Sequence, residues 1–262
     1  MRSSEWVAFL YFVYLAGVCW LRPLPASRRR FVTGVGVAAA AIVQTVAVAA
    51  PLSVRDWAPF GSVTLAYYLT GYLFVKPSAA LESWLLSCDH WLLGDPTTRF
   101  AHWPAWLIRY LDIVYMLTFL LLPGGFAALA VTGHSSQANH YWTMVLAADL
   151  GAFAPLSIFQ TRPPWVLEPR PVLPDGSVRR LASYMVRHAT IGVNTFPSGH
   201  VAVSLAAAAA MTSLPVASGV MLVLAVSISV ACVVGRYHYT VDVIAGVALA
   251  GLVWAAASFA GI

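Results

Sequence analysis

Charge is what this chain has least of. Only 10% of its 262 residues are Asp, Glu, Lys or Arg, whereas a soluble domain carries about a quarter. Lysine is almost missing: of 15 basic residues only Lys76 is not an arginine, and the net charge of +5 collects in a few loops. That distribution speaks for membrane topology and against a nucleic-acid surface. Cysteine is scarce too. Cys19, Cys88 and Cys232 lie in apolar contexts at no ligand spacing, so neither a disulfide framework nor a cysteine-bound metal is expected. No carboxylate cluster suggests a metal either, no segment repeats, and no alternating pattern suggests a barrel.

What is abundant is apolar length. Hydrophobic residues make up 60% of the chain, and several runs approach the length that crosses a bilayer. These features predict an all-α, polytopic transmembrane bundle forming one integral membrane domain, 1–262. About eight spans are expected, at 6–21, 31–50, 57–75, 104–131, 141–160, 201–214, 215–234 and 241–262. Residues 1–75 would be accessory spans. The first run is followed by Arg22-Pro23 and Arg28-Arg29-Arg30, which reads as an anchored helix, not a cleaved leader. In 76–103, Leu81, Trp84, Leu85, Cys88, Trp91 and Leu92 share one helical face while Glu82, Ser83, Ser87, Asp89 and His90 share the other. An amphipathic helix lying in the interface, or one packed on the protein's own surface, is expected there. Pro123-Gly124-Gly125 should kink the fourth span. The long polar segment is 161–197, with Arg162, Arg170, Arg179, Arg180 and Arg187 against Glu168 and Asp175.

The chemistry concentrates late in the chain. Phe196-Pro197-Ser198-Gly199-His200 stops regular structure just before an apolar run. The helix that starts there has free N–H groups suited to a phosphate, with the Ser198 hydroxyl and Gly199 backbone beside them. From 201 to the end of the chain, Arg236 and Asp242 are the only charged residues, and His238 lies between them. On a helix starting near Tyr237, Asp242 can hold one imidazole nitrogen of His238 and leave the other free to attack. A His–Asp pair that merely joins two helices fits equally well. Arg162, in Gln160-Thr161-Arg162-Pro163-Pro164, could hold phosphate oxygens bidentately or snorkel to headgroups. Counting spans puts Arg162, His200 and His238 on one side of the membrane.

Pro-Ser-Gly-His, then His-Tyr-x-x-Asp-Val-x-Ala-Gly about forty residues on, with Arg-Pro upstream, resembles the type 2 phosphatidic acid phosphatase (PAP2) superfamily. The likeness covers roughly 155–250. The helix around Trp84–Trp91, with Leu93-Gly94-Asp95-Pro96 and then Tyr110 and Tyr115, is similar to the branch related to inositol phosphorylceramide synthases. The resemblance implies a six-helix catalytic core within 104–262 and a metal-independent, cofactor-free reaction on a lipid phosphate. It implies that His238 attacks phosphorus, Asp242 orients it, and His200 protonates the leaving alcohol and activates the acceptor. Arg162, Ser198 and Gly199 would hold the phosphoryl oxygens. Two positions depart from the family pattern: Pro155 stands where a lysine is usual and Cys232 where an arginine is usual. Arg236 is the candidate to replace the missing charge.

The leading expectation is thus a lipid phosphatase working through a phosphohistidine on a phosphate or diphosphate ester. A lipid phosphotransferase passing a head group to a lipid alcohol is the alternative. A non-catalytic transporter or scaffold would instead explain Asp112 and Asp149 as intramembrane polar residues. The expected partners are a lipid phosphate and the bilayer, not nucleic acid, in a bacterial-type plasma membrane. Positive charge at 22–30 and in 161–197 marks the site's side as cytoplasmic, while the family resemblance implies the opposite face.

Overall fold

The computed structural model describes residues 1–168 and 176–261. Arg170 and Asp175 lie outside the described residues. Twelve α-helices run in order: α1 Ser3–Val18, α2 Ala26–Ala49, α3 Leu52–Gly71, α4 Ala79–Leu93, α5 Pro96–Ala101, α6 Ala105–Val131, α7 Ala138–Phe153, α8 Pro164–Leu167, α9 Ser177–His188, α10 Gly199–Ala209, α11 Pro215–Val234 and α12 Thr240–Ala260. Among the described residues there is no strand, only an isolated bridge between Thr161 and Asn194. The architecture is an all-α polytopic bundle, and each of the eight expected runs contains a helix.

Five helical segments are long and apolar enough to cross a membrane: Ser3–Leu21, Ala26–Ala49, Ala105–Val131, Pro215–Val234 and Thr240–Ala260. The others differ for physical reasons. α3 begins five residues earlier than expected, so Arg55 and Asp56 lie in its first turns, where Arg55 pairs with Glu5 at 2.7 Å and Asp56 with Arg2 at 2.6 Å. Those two pairs join the starts of α1 and α3. α7 is shorter than a span because Pro155 turns the chain into a 3-10 segment, Ala154–Ser157. It is apolar nearly all round, and such a helix belongs in a core. Tyr141, Trp142, Met144, Val145, Leu146 and Ala148 are all buried, and α1, α3, α10 and α12 pack around them.

At 123–125 the helix is not interrupted: α6 runs through Pro123. Proline removes one N–H from the ladder, the donor to the Phe119 carbonyl four residues back. The Tyr141 hydroxyl donates to the Leu122 carbonyl at 2.7 Å and packs against Gly125.

α4 lies with its polar face inward. Ser78 caps its start, accepting from Leu81 N. Glu82, Leu85 and Asp89 are buried, whereas Trp84 and Trp91 are exposed. The carboxylates thus face protein and the tryptophans face outward, as suits a helix packed on the bundle with indoles at a membrane interface.

One end of the bundle gathers the polar connections. Arg28 Nη1 donates to the Phe74 carbonyl at 2.9 Å. Gln160 accepts from Val75 N at 2.8 Å and donates to Leu73 O at 2.8 Å, and Ser78 N donates to its carbonyl at 2.7 Å. The arginine-rich 22–30 connection therefore shares an end with the 160s segment, as the span count expected.

α10 and α12 approach closely at Gly246. A Cβ there would lie 2.8 Å from the Ser198 carbonyl and 3.0 Å from Val201 Cβ. Since the blocking atom is backbone, Gly246→Ala must push α10 away, at a cost of about 1–3 kcal/mol. A lowered unfolding temperature in detergent is the expected result. An unchanged one would show that the approach is slack.

Candidate active site

Four short connections build the site. The Phe196-Pro197 peptide is cis, and Ser198 then caps α10, its hydroxyl accepting from Val201 N at 3.5 Å. Ser198 N donates to the Asp242 carbonyl at 3.0 Å, which ties this turn to the start of α12. α11 ends at Val234, where Tyr237 N and His238 N both donate to the Cys232 carbonyl, at 2.9 and 3.1 Å. Asp242 receives Tyr239 N at 3.0 Å, closing the first turn of α12. Trp165 N donates to the Arg236 carbonyl at 3.1 Å, and the Tyr239 hydroxyl to the Arg162 carbonyl at 2.9 Å. The Thr161–Asn194 bridge completes the weave.

These connections bring the two imidazoles together. His238 Nε2 lies 3.4 Å from His200 Nδ1, and His238 Nδ1 lies 3.5 Å from Asp242 Oδ2. Asp242 is fully buried and His238 is 4% exposed. The His238 Nδ1 contact is long for a hydrogen bond, so the imidazole is aligned by Asp242 without being locked. Tyr115 stacks on His200 with centroids 5.0 Å apart and on Tyr237 at 3.9 Å, which fixes the plane of the His200 ring. Asn194 is buried beside Asp242 and donates to Thr161 Oγ1 at 3.1 Å.

The arginines are held by carboxylates of α4. Arg162 donates from its backbone N (2.8 Å) and Nε (3.0 Å) to Glu82 Oε1, and from Nη2 to Oε2 at 2.8 Å. Its Nη1 has no hydrogen bond among the described residues, and the side chain is 41% exposed. Arg236 has a left-handed backbone, φ 57°, and a wholly buried side chain. Its Nη1 meets Asp89 at 2.6 Å and its Nη2 meets Glu168 at 2.7 Å. Asp89 also accepts from Thr240 N at 2.7 Å, and Glu168 from His90 at 2.7 Å. Arg236 does turn inward, as a loop position allows; its Nη1 and Nη2 meet two carboxylates, while its Nε has no partner among the described residues. Those contacts also tie down the 235–239 loop.

Of the other expected residues, Ser198 is buried and occupied as a cap, and Gly199 N donates to Thr195 Oγ1 at 3.4 Å. A Cβ on Gly199 would meet the Phe153 ring at 3.0 Å, so glycine is needed for α10 to start there. Cys232 is fully buried under the loop and Pro155 sits in the 3-10 turn, so neither position supplies charge. Glu82 and Glu168 were given no role from sequence, and Asp89 entered only as part of the resemblance around Trp84–Trp91. Their signal was the placement of Glu82 and Asp89 seven residues apart, two turns on one face of α4. Among the described residues no group of three or more His, Cys, Asp or Glu side chains is arranged as a metal site.

A cavity of about 290 Å³ opens beside the histidines, lined by α3, α6, α7, α10 and the 186–195 segment. Its walls are mostly aromatic and aliphatic, including Phe60, Tyr67, Phe119 and Phe153, with His200 and His238 at its polar side.

Burial raises the Glu82 carboxyl, but the Arg162 hydrogen bonds outweigh it, leaving the group below its ordinary value. A depressed folded-state value adds stability above the unfolded carboxylate range near 4.5, lost as pH falls through the lower folded value. Glu82→Gln should therefore flatten the acid side of the thermal-stability curve below about pH 4.5. An acid limb unchanged by the substitution would show that the pair contributes nothing to stability.

No curated protein and no solved structure matches the chain. A family model described as the PAP2 superfamily does match, over residues 83–256, a stretch that holds most of α4, the cavity's α6 and α7, Arg162, both histidines and Asp242. The chain belongs to the PAP2 superfamily.

Proposed function

We propose that the protein is a membrane-embedded lipid phosphatase that cleaves a phosphate or diphosphate ester through a phosphohistidine. The observation that carries this reading is the aligned row Asp242–His238–His200, with spacings of 3.5 and 3.4 Å, at the edge of an apolar cavity. Asp242 beside Nδ1 favours the tautomer with its proton there, so Nε2 keeps the lone pair. Nε2 attacks phosphorus and the ester P–O bond breaks. The leaving oxygen takes a proton from His200, which returns the favour by deprotonating water as the P–N bond is hydrolysed. The two ring nitrogens stand closer than an intervening phosphoryl group permits, so the rings part when substrate enters.

Oxyanion stabilisation falls to Arg162 and the start of α10. Glu82 presents the guanidinium through one edge and leaves Nη1 for phosphate. Backbone N–H groups at a helix start add partial positive charge. A site that supplies this without a lysine at 155 or an arginine at 232 binds its phosphate with fewer cations than the family pattern, and substrate identity follows from the cavity more than from the clamp.

The second reading is a lipid phosphotransferase. The same intermediate is then resolved by an alcohol, and the cavity beside His200 has room for the apolar end of one. A transporter or scaffold is disfavoured by the packing of two histidines and a buried aspartate into one row, since such groups are costly in a bilayer unless used together.

Three outcomes are expected. With phosphorus-labelled lipid phosphate and an alkaline quench, wild-type protein and His200→Ala carry label, and His238→Ala carries none. His200→Ala turns over about 10²–10⁴-fold more slowly. Turnover intact in His238→Ala would end the scheme. Free phosphate release with and without a long-chain alcohol separates hydrolysis from transfer. The rate should trace a bell against pH, because attack needs His238 neutral while departure needs His200 protonated. A profile with a single limb would remove one of the two roles.

A further inference from the structure

One buried group in the cavity takes no part in the scheme above. Asp149, on α7, is 4% exposed and lines the cavity with His200 and His238. Among the described residues no hydrogen bond or ion pair reaches its carboxyl. Its Oδ1 lies 3.4 Å from where a Cβ of Gly199 would be, so the carboxyl stands against the turn that carries His200. Thr118, on α6, lines the same cavity, and its buried hydroxyl is also without a partner. Other buried acids among the described residues have partners: Glu82 has Arg162, Asp89 has Arg236, Asp112 has Arg179, and Asp242 has Tyr239 N.

An unpartnered carboxyl in so apolar a place is expensive. It fits a ligand that brings a hydrogen-bond donor into the cavity. A hydroxyl suits the pair of orphans best, because it can donate to Asp149 while accepting from Thr118. The surrounding rings of Phe60, Tyr67, Phe119 and Phe153 then take the hydrocarbon of the same molecule.

We infer that the cavity selects a long-chain lipid that bears a free hydroxyl close to its phosphate-bearing end, with Asp149 as the residue that recognises that hydroxyl. A bare polyprenyl phosphate or a fully acylated glycerol phosphate would leave the carboxyl unsatisfied, and sites built around a buried polar group reject analogues that cannot pair with it. Assigning the molecule as substrate rests on the proposed role of the histidines. Assigning the hydroxyl to Asp149 does not.

The experiment therefore has two arms. In the first, purified enzyme is given matched monoalkyl phosphates carrying a hydroxyl at carbon 2, 3 or 4, the corresponding methyl ethers, and the unsubstituted chain. The wild type should favour one hydroxyl compound over its methyl ether by about tenfold or more in kcat/KM, the effect of one buried hydrogen bond. Asp149→Ala should collapse that ratio towards unity, losing far more on the hydroxyl compound than on the ether. Thr118→Val should reduce it in part. Equal treatment of hydroxyl and ether by the wild type overturns the inference while leaving the phosphatase reading intact, and so does an undiminished ratio in Asp149→Ala.

In the second arm, the phosphate-free diols and their monomethyl ethers are added to wild-type protein and to Asp149→Asn, and thermal unfolding is followed. Stabilisation of the wild type by a diol but not by its ether, weakened in Asp149→Asn, is the supporting result. If no phosphate is turned over, this arm alone decides, and equal shifts by diol and ether overturn the assignment. An Asp149→Ala variant that fails to fold leaves the wild-type comparison and Asp149→Asn to carry the test.

Discussion

Two carboxylates on α4 hold the arginines on either side of the facing histidines, and the rest of the polar end is arranged around that hold. Glu82 grips Arg162 by three hydrogen bonds, and Asp89 grips both Arg236 and the first N–H of α12. α4 thereby connects the segment after α7 to the loop before α12, which are far apart in sequence. In the wholly buried Asp89–Arg236 pair, loss of one partner would strand the other charge, a cost of about 3–5 kcal/mol. Such a pair says more about which conformation is chosen than about net stability.

The strain at Arg236 fits this picture. A left-handed backbone at a residue with a side chain costs about 1–2 kcal/mol, and it persists only where surrounding contacts over-determine it. Here Asp89 and Glu168 hold the side chain and Trp165 N holds the carbonyl. The result is a tight corner between α11 and α12 that lets His238 face His200. Arg236 thus pins the loop that carries His238.

The same logic divides the polar residues of the membrane domain into two kinds. Most are satisfied within the protein and fix geometry: Glu5 with Arg55, Asp112 with Arg179, Gln160 with four backbone groups. Others line the cavity with few or no partners among the described residues: Thr118, Asp149 and the two histidines. Unsatisfied polarity is costly in an apolar medium, and at a cavity wall a ligand can relieve it.

Apolar length and turn chemistry, both local properties, were enough to place the eight main helices, because each helix closes its own hydrogen bonds in a bilayer. Pro-Ser-Gly-His was equally legible, since a helix start is set by neighbours in the chain; the His238–Asp242 contact forms differently from expectation, because α12 begins at Thr240, not near Tyr237, and His238 reaches Asp242 from the loop before the helix. What α4 does was not legible. Its amphipathic pattern shows two faces but not which one turns inward, and only the arginines arriving from 162 and 236 decide that. The fates of Arg162 and Arg236 depended on the same encounter: a guanidinium goes to whichever carboxylate the fold brings near, and those carboxylates lie some 80 and 150 residues away in sequence. Asp149 likewise became informative only when packing placed it on the cavity wall with no hydrogen bond or ion pair among the described residues.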